Sequence, residues 1–131
     1  MNKETNILIK GYLERAKEKL KSANDLLRLH DYGDAVSRAY YCAFHSAQAI
    51  LLTESLSAKT HSGLVNLFGL HFVKTGKFDK KFGKMLSNLK DDRENGDYEV
   101  YSCIDEDVAK ECVKEAKQFF EEANKYLAKY L

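Results

Sequence analysis

DAVSRAYYCAFHSAQAILL, residues 34–52, indicates a helical fold. Its small and apolar side chains recur at helical spacing and share one face of a predicted helix: Ala35, Ala39, Ala43, Ala47 and Ile50. Larger side chains broaden the same stripe: Val36, Tyr40, Phe44 and Leu51. A face made of so many alanines implies that the neighbouring helices approach it closely.

The flanking segments carry the same helical periodicity. A first helix is predicted at roughly residues 5–29 from a stripe at steps of four and three: Ile9, Leu13, Ala16, Leu20, Ala23 and Leu27. Thr60 is the predicted N-cap of a third helix, and Gly76 is predicted to end it. These three helices make up the first part of the chain.

Two further helices follow in the second part. A fourth begins at Phe78 and is predicted to fade within DDRENGD, because Asn95 and Gly96 favour a turn, so residues 91–101 read as a helix end followed by a loop. A fifth starts near Asp105, where acidic residues complement the helix dipole. The prediction is therefore an all-α single domain over residues 1–131, an up-and-down four-helix bundle with an additional fifth helix.

Composition excludes several classes of protein. Hydrophobic residues at 44% and charged residues at 31% are typical of a folded domain rather than a disordered chain. A formal charge of only +1 argues against non-specific binding to a DNA duplex. No run approaches the ~18 apolar residues of a membrane span, and the N-terminus lacks the features of an export signal. We expect a protein that neither enters a membrane nor is exported.

The cysteines and histidines argue against a metal site. Cys42, Cys103 and Cys112 form no CxxC pair, which suits a reducing cytoplasm. The four histidines lack a second ligand at the Glu-x-x-His spacing that bundle metal sites use. We expect neither a metal nor another cofactor, and a cytoplasmic location.

The second helix carries a polar stripe beside its alanine face. Arg38, Tyr41, His45 and Gln48 follow at steps of three, four and three. A guanidinium, a phenol, an imidazole and an amide suit phosphate and base recognition. The alternative is that Tyr41 and His45 only pack between helices, with Arg38 solvated.

A second candidate binding group is KTH at residues 59–61. Lys59 and His61 flank the start of the third helix, where backbone N–H groups attract anions. The alternative is a solvated turn capped by Thr60.

DDRENGDYEVY at residues 91–101 supplies a third candidate, since Arg93 can clamp a phosphate and Tyr98 can hydrogen-bond it or stack on a base.

Three ordered blocks, SRAYYCAFHSAQAILL, KTHSGLVNLFGLHFVKTGKF and RENGDY, resemble the uncharacterised-protein branch of the HEPN family, the higher-eukaryote and prokaryote nucleotide-binding domain. The resemblance covers roughly residues 8–127. It implies a compact helical bundle, a homodimer, and a partner nucleotidyltransferase encoded nearby with which the protein forms a toxin and antitoxin pair. It also implies nucleotide or RNA binding.

The ribonuclease motif of active relatives, Arg-x(4–6)-His, is altered in this chain. Arg93 matches its arginine, but Tyr98 stands where the histidine belongs. Tyrosine, with a pKa of about 10, is a poor proton acceptor at neutral pH. Arg38 and His45 fit the same spacing, but they lie at a position that the family does not use.

The resemblance leaves three functions open. The leading prediction is a nucleotide- or RNA-binding protein that pairs with a small nucleotidyltransferase as the toxin component, with Tyr98 or Tyr101 as the acceptor of an AMP group. The first alternative is a metal-independent endoribonuclease in which Arg93 stabilises the phosphorane, Tyr98 binds the phosphate, and His45 or Asp97 moves protons. The second is a non-catalytic helical adaptor or substrate-binding subunit of the nucleotidyltransferase.

Overall fold

The computed structural model describes the backbone of residues 1–98 and 104–131 and the side chains of residues 1–96 and 104–131. Within these ranges the chain is all-helical, as predicted. Five α-helices follow in order: α1 Lys3–Arg28, α2 Tyr32–Leu51, α3 His61–Phe68, α4 Lys80–Tyr98 and α5 Glu106–Leu127. The long helices α1, α2, α4 and α5 form the bundle, and the short α3 is the additional helix.

Helix α2 lies at the centre of the bundle, where it packs against α1, α3, α4 and α5. The predicted alanine face is fully buried: Ala35, Ala39, Ala43 and Ala47 are 0% exposed. Without side chains beyond Cβ on that face, the backbones of the neighbouring helices approach closely. Residues 34–52 therefore organise the bundle, because the four other helices share α2 as a packing partner.

Helix caps account for where two of the helices begin. The Thr60 side chain accepts a hydrogen bond from the Gly63 backbone N–H at 2.9 Å, which confirms the predicted N-cap of α3. The Asp105 side chain does the same for the Val108 N–H at 2.9 Å and starts α5. Helix α3 continues past Phe68 as one π-helical turn, Gly69–Val73, and Gly76 follows with φ +83°. Gly76 thus takes the left-handed conformation expected of a glycine that follows a helix.

The prediction that the fourth helix fades within DDRENGD is wrong. Helix α4 runs through Asn95 and Gly96 to Tyr98. Gly96 does not form a turn but lets the Ile104 side chain approach the α4 backbone closely. A Cβ built at position 96 would lie 2.3 Å from Cδ1 of Ile104. Packing of α4 against the bundle outweighs the turn preference of these two residues. Residues 91–98 are therefore helical, and 99–103 lie outside the described residues.

Candidate functional site

Helix α2 presents an aromatic surface next to its alanine face. Tyr40 is fully buried, whereas Tyr41 and Phe44 are half-buried. The Tyr40 and Phe44 ring centroids are 5.9 Å apart, and those of Tyr41 and Phe44 are 6.0 Å apart. The three rings follow from helical geometry, since residues at i and i+4 are neighbours on one face.

Helix α3 brings an imidazole onto this surface. His61 is the first residue after the Thr60 cap, so the cap fixes where its side chain leaves the helix. Its ring centroid lies 4.9 Å from that of Phe44. Its Nδ1 lies 2.6 Å from the hydroxyl oxygen of Tyr40, within hydrogen-bond distance.

Helix α4 brings a guanidinium to the same place. Cζ of Arg93 lies 5.0 Å from the centroid of the Tyr41 ring and 5.6 Å from that of Tyr40. Contacts of this kind contribute about 0.5–2 kcal/mol, more as the pair becomes desolvated. Arg93, Tyr40, Tyr41, Phe44 and His61 are called the Arg93 cluster below. It joins three helices at one point.

The protonation states of the cluster follow from burial and charge. Burial, and then the positive charge of Arg93, lower the pKa of His61 below its ordinary value, while Glu94 opposes this. Burial raises the pKa of Tyr40 although the charge of Arg93 acts in the other direction. The ordinary values are about 6.5 and 10. At neutral pH the imidazole is therefore neutral and the phenol is protonated.

A small polar cleft between α3 and α4 adjoins the cluster. It has a volume of about 130 Å³ and is lined by Ser62, Val65, Asn66, Ser87, Lys90 and Asp91. Ser62 follows His61 in the chain, and Lys90 lies one turn before Arg93 on α4. Lys90 forms an ion pair of 2.9 Å with Glu94. The cleft offers hydroxyl and amide groups next to the guanidinium.

Three of the residues singled out in the sequence meet in this cluster: Arg93, Tyr41 and His61. Arg38 and Lys59 are exposed. Within residues 1–96 and 104–131, no hydrogen bond, ion pair or ring contact joins either of them to the cluster. Gln48 is buried and donates a hydrogen bond to the Ala58 carbonyl at 3.2 Å, a packing role. The polar stripe of α2 is thus divided between different surroundings.

His45 borders the cluster but faces α1. Its ring centroid is 6.1 Å from that of Tyr41 and 6.2 Å from that of Tyr12 on α1. Burial, and then the charges of Arg15 and Lys19, lower the pKa of His45 to about 4. Among the described residues its Nδ1 has no hydrogen-bond partner. A base this weak is a poor proton acceptor at neutral pH.

The remaining candidates belong to the end of α4 and the segment after it. The backbone of Asp97 and Tyr98 lies in the last turn of α4, four and five residues beyond Arg93. Their side chains, and Tyr101 altogether, lie outside the described residues. A rise of 1.5 Å per residue puts the Tyr98 backbone roughly 7.5 Å along the helix axis from that of Arg93.

Two members of the cluster were missed as site residues in the sequence. Tyr40 and Phe44 were assigned only to the packing stripe of the second helix. The signal for Tyr40 was a phenol on a face of alanines, since a buried hydroxyl needs a hydrogen-bond partner. Its partner is 21 residues away in the chain, which no local pattern reveals.

The described part of the chain shows neither a metal cluster nor a membrane-spanning helix. Within it, no group of three or more His, Cys, Asp or Glu side chains is placed to hold a metal ion. None of its helices combines the length and the apolar character needed to cross a bilayer. The Arg93 cluster brings charged, aromatic and imidazole groups together, a combination suited to phosphates and bases.

The chain is similar to known proteins along nearly all of its length. The HEPN domain family matches residues 9–126. A "putative toxin" of Methanocaldococcus jannaschii is 36% identical over 131 residues, which are 100% of this chain and 97% of that protein. A "UPF0332 protein" of Thermotoga maritima is 35% identical over 127 residues, 97% of this chain and 96% of that protein. A second "putative toxin" of M. jannaschii is 30% identical over 115 residues, 88% of this chain and 78% of that protein. The chain belongs to the HEPN domain family.

Proposed function

We propose that this HEPN protein binds nucleotide or RNA at the Arg93 cluster and works with a small nucleotidyltransferase as the toxin component of a pair. The observation that carries the proposal is the position of Arg93 over Tyr41 and beside His61. The names of two relatives support the toxin role.

A guanidinium over aromatic rings suits phosphate recognition. The N–H groups of arginine point outward in the plane of the guanidinium, and they match two oxygens of a phosphate at once. Contact with the ring faces of Tyr40 and Tyr41 restrains the side chain, so less conformational entropy is lost when an anion binds. Arg93 is therefore proposed as the phosphate-binding group.

The surroundings of Arg93 suit the rest of a nucleotide. Tyr41 and Phe44 are half-buried rings on which a base can stack. The cleft between α3 and α4 provides Ser62, Asn66 and Ser87, whose hydroxyl and amide groups can hydrogen-bond a ribose or a base edge. The surface therefore offers groups for the phosphate, the sugar and the base of a nucleotide.

Binding is tested by calorimetric titration with ATP and with a short single-stranded RNA. Arg93→Ala is expected to weaken binding about 10- to 100-fold, since hydrogen bonds to charged groups contribute about 1.5–3 kcal/mol. Arg28→Ala is the matched control, because Arg28 is an exposed arginine on α1 that pairs with Asp25. Equal affinity of the two variants contradicts the proposal.

Two other outcomes assign a different function. RNA cleavage by the wild type that Arg93→Ala abolishes identifies an endoribonuclease, and buffers containing a chelator test whether it needs a metal. Absence of binding to either ligand, measured also as an unchanged unfolding temperature, favours the helical adaptor, because a ligand specific for the folded state raises that temperature.

The partner enzyme is proposed to transfer AMP to Tyr98 or Tyr101. The phenol oxygen attacks the α-phosphorus of ATP, pyrophosphate leaves, and the phenol proton passes to solvent. The added negative charge would lie close to Arg93 in the chain and compete with a phosphate ligand for it. Intact-mass measurement after co-expression tests this step, and the Tyr98→Phe and Tyr101→Phe variants locate the group. An unmodified mass contradicts it.

A homodimer is proposed for the assembled protein, as membership of the HEPN family implies. Light scattering coupled to gel filtration measures the mass in solution. A dimer has a mass of 30 kDa against 15.0 kDa for one chain, so the two states are resolved. A monomer at micromolar concentration contradicts the proposal.

A further inference from the structure

The hydrogen bond between Tyr40 and His61 has a definite direction. Tyr40 is 0% exposed, so water does not reach its side chain. Among the described residues, Nδ1 of His61, 2.6 Å away, is the one hydrogen-bond partner of its hydroxyl. If Nδ1 carried a hydrogen and donated it, the buried O–H would have no acceptor, which is costly. The hydroxyl therefore donates and Nδ1 accepts.

This direction fixes the tautomer of the imidazole. A neutral imidazole carries one hydrogen, and a nitrogen that accepts a hydrogen bond does not hold it. The hydrogen of His61 is therefore on Nε2. Adding a proton to Nδ1 would turn the Tyr40 hydroxyl away from its acceptor, so the bond also disfavours the charged form of His61.

Most of the charged groups that face His61 also disfavour its protonated form. On α4, Arg93 and Lys90 disfavour the imidazolium, and Glu94 favours it. Glu94 is already paired with Lys90 at 2.9 Å. From α2 the ring is contacted by Tyr40, Tyr41 and Phe44. Burial raises the pKa of Tyr40.

We propose that Tyr40 holds His61 as the neutral Nε2–H tautomer, so that His61 is a hydrogen-bond donor to the phosphate of a bound phosphodiester beside Arg93 and not a proton acceptor. The inference rests on the proposed function, since it names a second phosphate-binding group in the same site. Tyr40 is a positioning residue, because it acts through the imidazole and is buried beneath it.

The direct test is NMR of the ring nitrogens of His61 in the wild-type protein, since the nitrogen that carries the hydrogen differs in chemical shift and in proton coupling. We expect Nε2–H near neutral pH. An Nδ1–H tautomer overturns the inference. This measurement needs neither a ligand nor a variant, so it holds even if a substitution at Tyr40 impairs folding.

The functional test is the pH dependence of binding. The probe is a 2′-O-methylated adenine dinucleotide, whose phosphodiester does not titrate between about pH 5.5 and 7.5 and resists cleavage through the blocked 2′ oxygen. Wild-type affinity is expected to change less than about 2-fold over this range. In Tyr40→Phe the Nδ1 atom is released, so the imidazole gains a proton as the pH falls. The affinity of this variant for the negatively charged dinucleotide is then expected to rise about 3- to 10-fold.

Two further variants separate the donor role from a structural one. His61→Gln keeps an uncharged N–H donor near the Nε2 position and is expected to bind within about 3-fold of wild type, whereas His61→Ala weakens binding about 10-fold. The double variant Tyr40→Phe with His61→Gln has no imidazole at this position and should lose the pH dependence. If it keeps that dependence, another group is responsible and the inference fails.

Failure of the inference differs from failure of the proposed function. If the wild type binds the dinucleotide and Tyr40→Phe has the same affinity at both pH values, the inference is overturned and the proposed function stands. If the wild type binds ATP or the short RNA but not the dinucleotide, only the inference is overturned. If it binds none of the three, both are overturned.

Discussion

The start of α3 couples Thr60 and Gly63 in a way that a double-mutant cycle can measure. The Thr60 Oγ1 atom accepts a hydrogen bond from the Gly63 N–H at 2.9 Å. A Cβ added at Gly63 would lie 2.8 Å from the same oxygen. An alanine at position 63 therefore requires the capping hydroxyl to move, which weakens the cap.

The magnitudes make the sign of Gly63→Ala depend on residue 60. In a helix, alanine is more favourable than glycine by about 0.5–1 kcal/mol. Loss of a threonine cap costs about 1 kcal/mol. In the wild type the two effects nearly cancel, and Gly63→Ala is expected to be neutral or to destabilise by up to about 0.5 kcal/mol. In a Thr60→Ala background no cap is left to lose, so the same change should stabilise by about 0.5–1 kcal/mol.

Urea denaturation of the wild type, both single variants and the double variant measures these free energies of unfolding. The expected coupling energy is about 1 kcal/mol. Thr60→Ser is the control, because serine keeps the hydroxyl and Gly63→Ala should behave in it as in the wild type. Additive effects, within about 0.3–0.5 kcal/mol, would refute the steric conflict between cap and side chain.

Two further predictions follow from buried groups. The pKa of His45, about 4 in the folded state, lies below its ordinary value of 6.5, so its contribution to stability is present above pH 6.5 and is lost as the pH falls towards 4. Between pH 7 and pH 5 the free energy of unfolding of the wild type should drop by about 2 kcal/mol more than that of His45→Gln. The same pH dependence for both proteins in urea denaturation would contradict the lowered pKa of His45. Burial raises the pKa of the Cys42 thiol to about 12, and burial and Asp92 raise the pKa of Cys112. At about pH 8 both thiols should react with iodoacetamide roughly 10³-fold more slowly in the native protein than in urea. Peptide mass mapping distinguishes Cys42 and Cys112 from Cys103, which lies outside the described residues. Rapid labelling of Cys42 in the native protein would contradict the prediction.

The helices that could be predicted from the sequence are those whose signals are local. The stripe of α2 and the caps at Thr60 and Asp105 depend on residues within one or two turns of each other, and they lie where they were predicted. The end of α4 depends instead on Gly96 fitting against Ile104 across the connection to α5. A turn preference read within DDRENGD could not detect that contact.

The candidate site was predictable residue by residue but not as an arrangement. Arg93, Tyr41 and His61 were each identified from their chemistry, and Lys59 and Arg38 were identified on the same grounds. The first three side chains lie together in the Arg93 cluster because three helices bring them there, whereas Lys59 and Arg38 lie outside it. That depends on how α3 and α4 pack on α2, and the spacing within one helix carries no information on it.

The order of the helices has a consequence for how the protein is made. Helices α1 and α2 are joined by three residues, 29–31, so their contacts are local and can form early. The Arg93 cluster takes its parts from α2, α3 and α4, and synthesis runs from the N-terminus. A nascent chain therefore lacks the group proposed to bind phosphate until α4 has emerged and docked. The proposed phosphate binding is therefore a property of the completed fold and not of the unfinished chain.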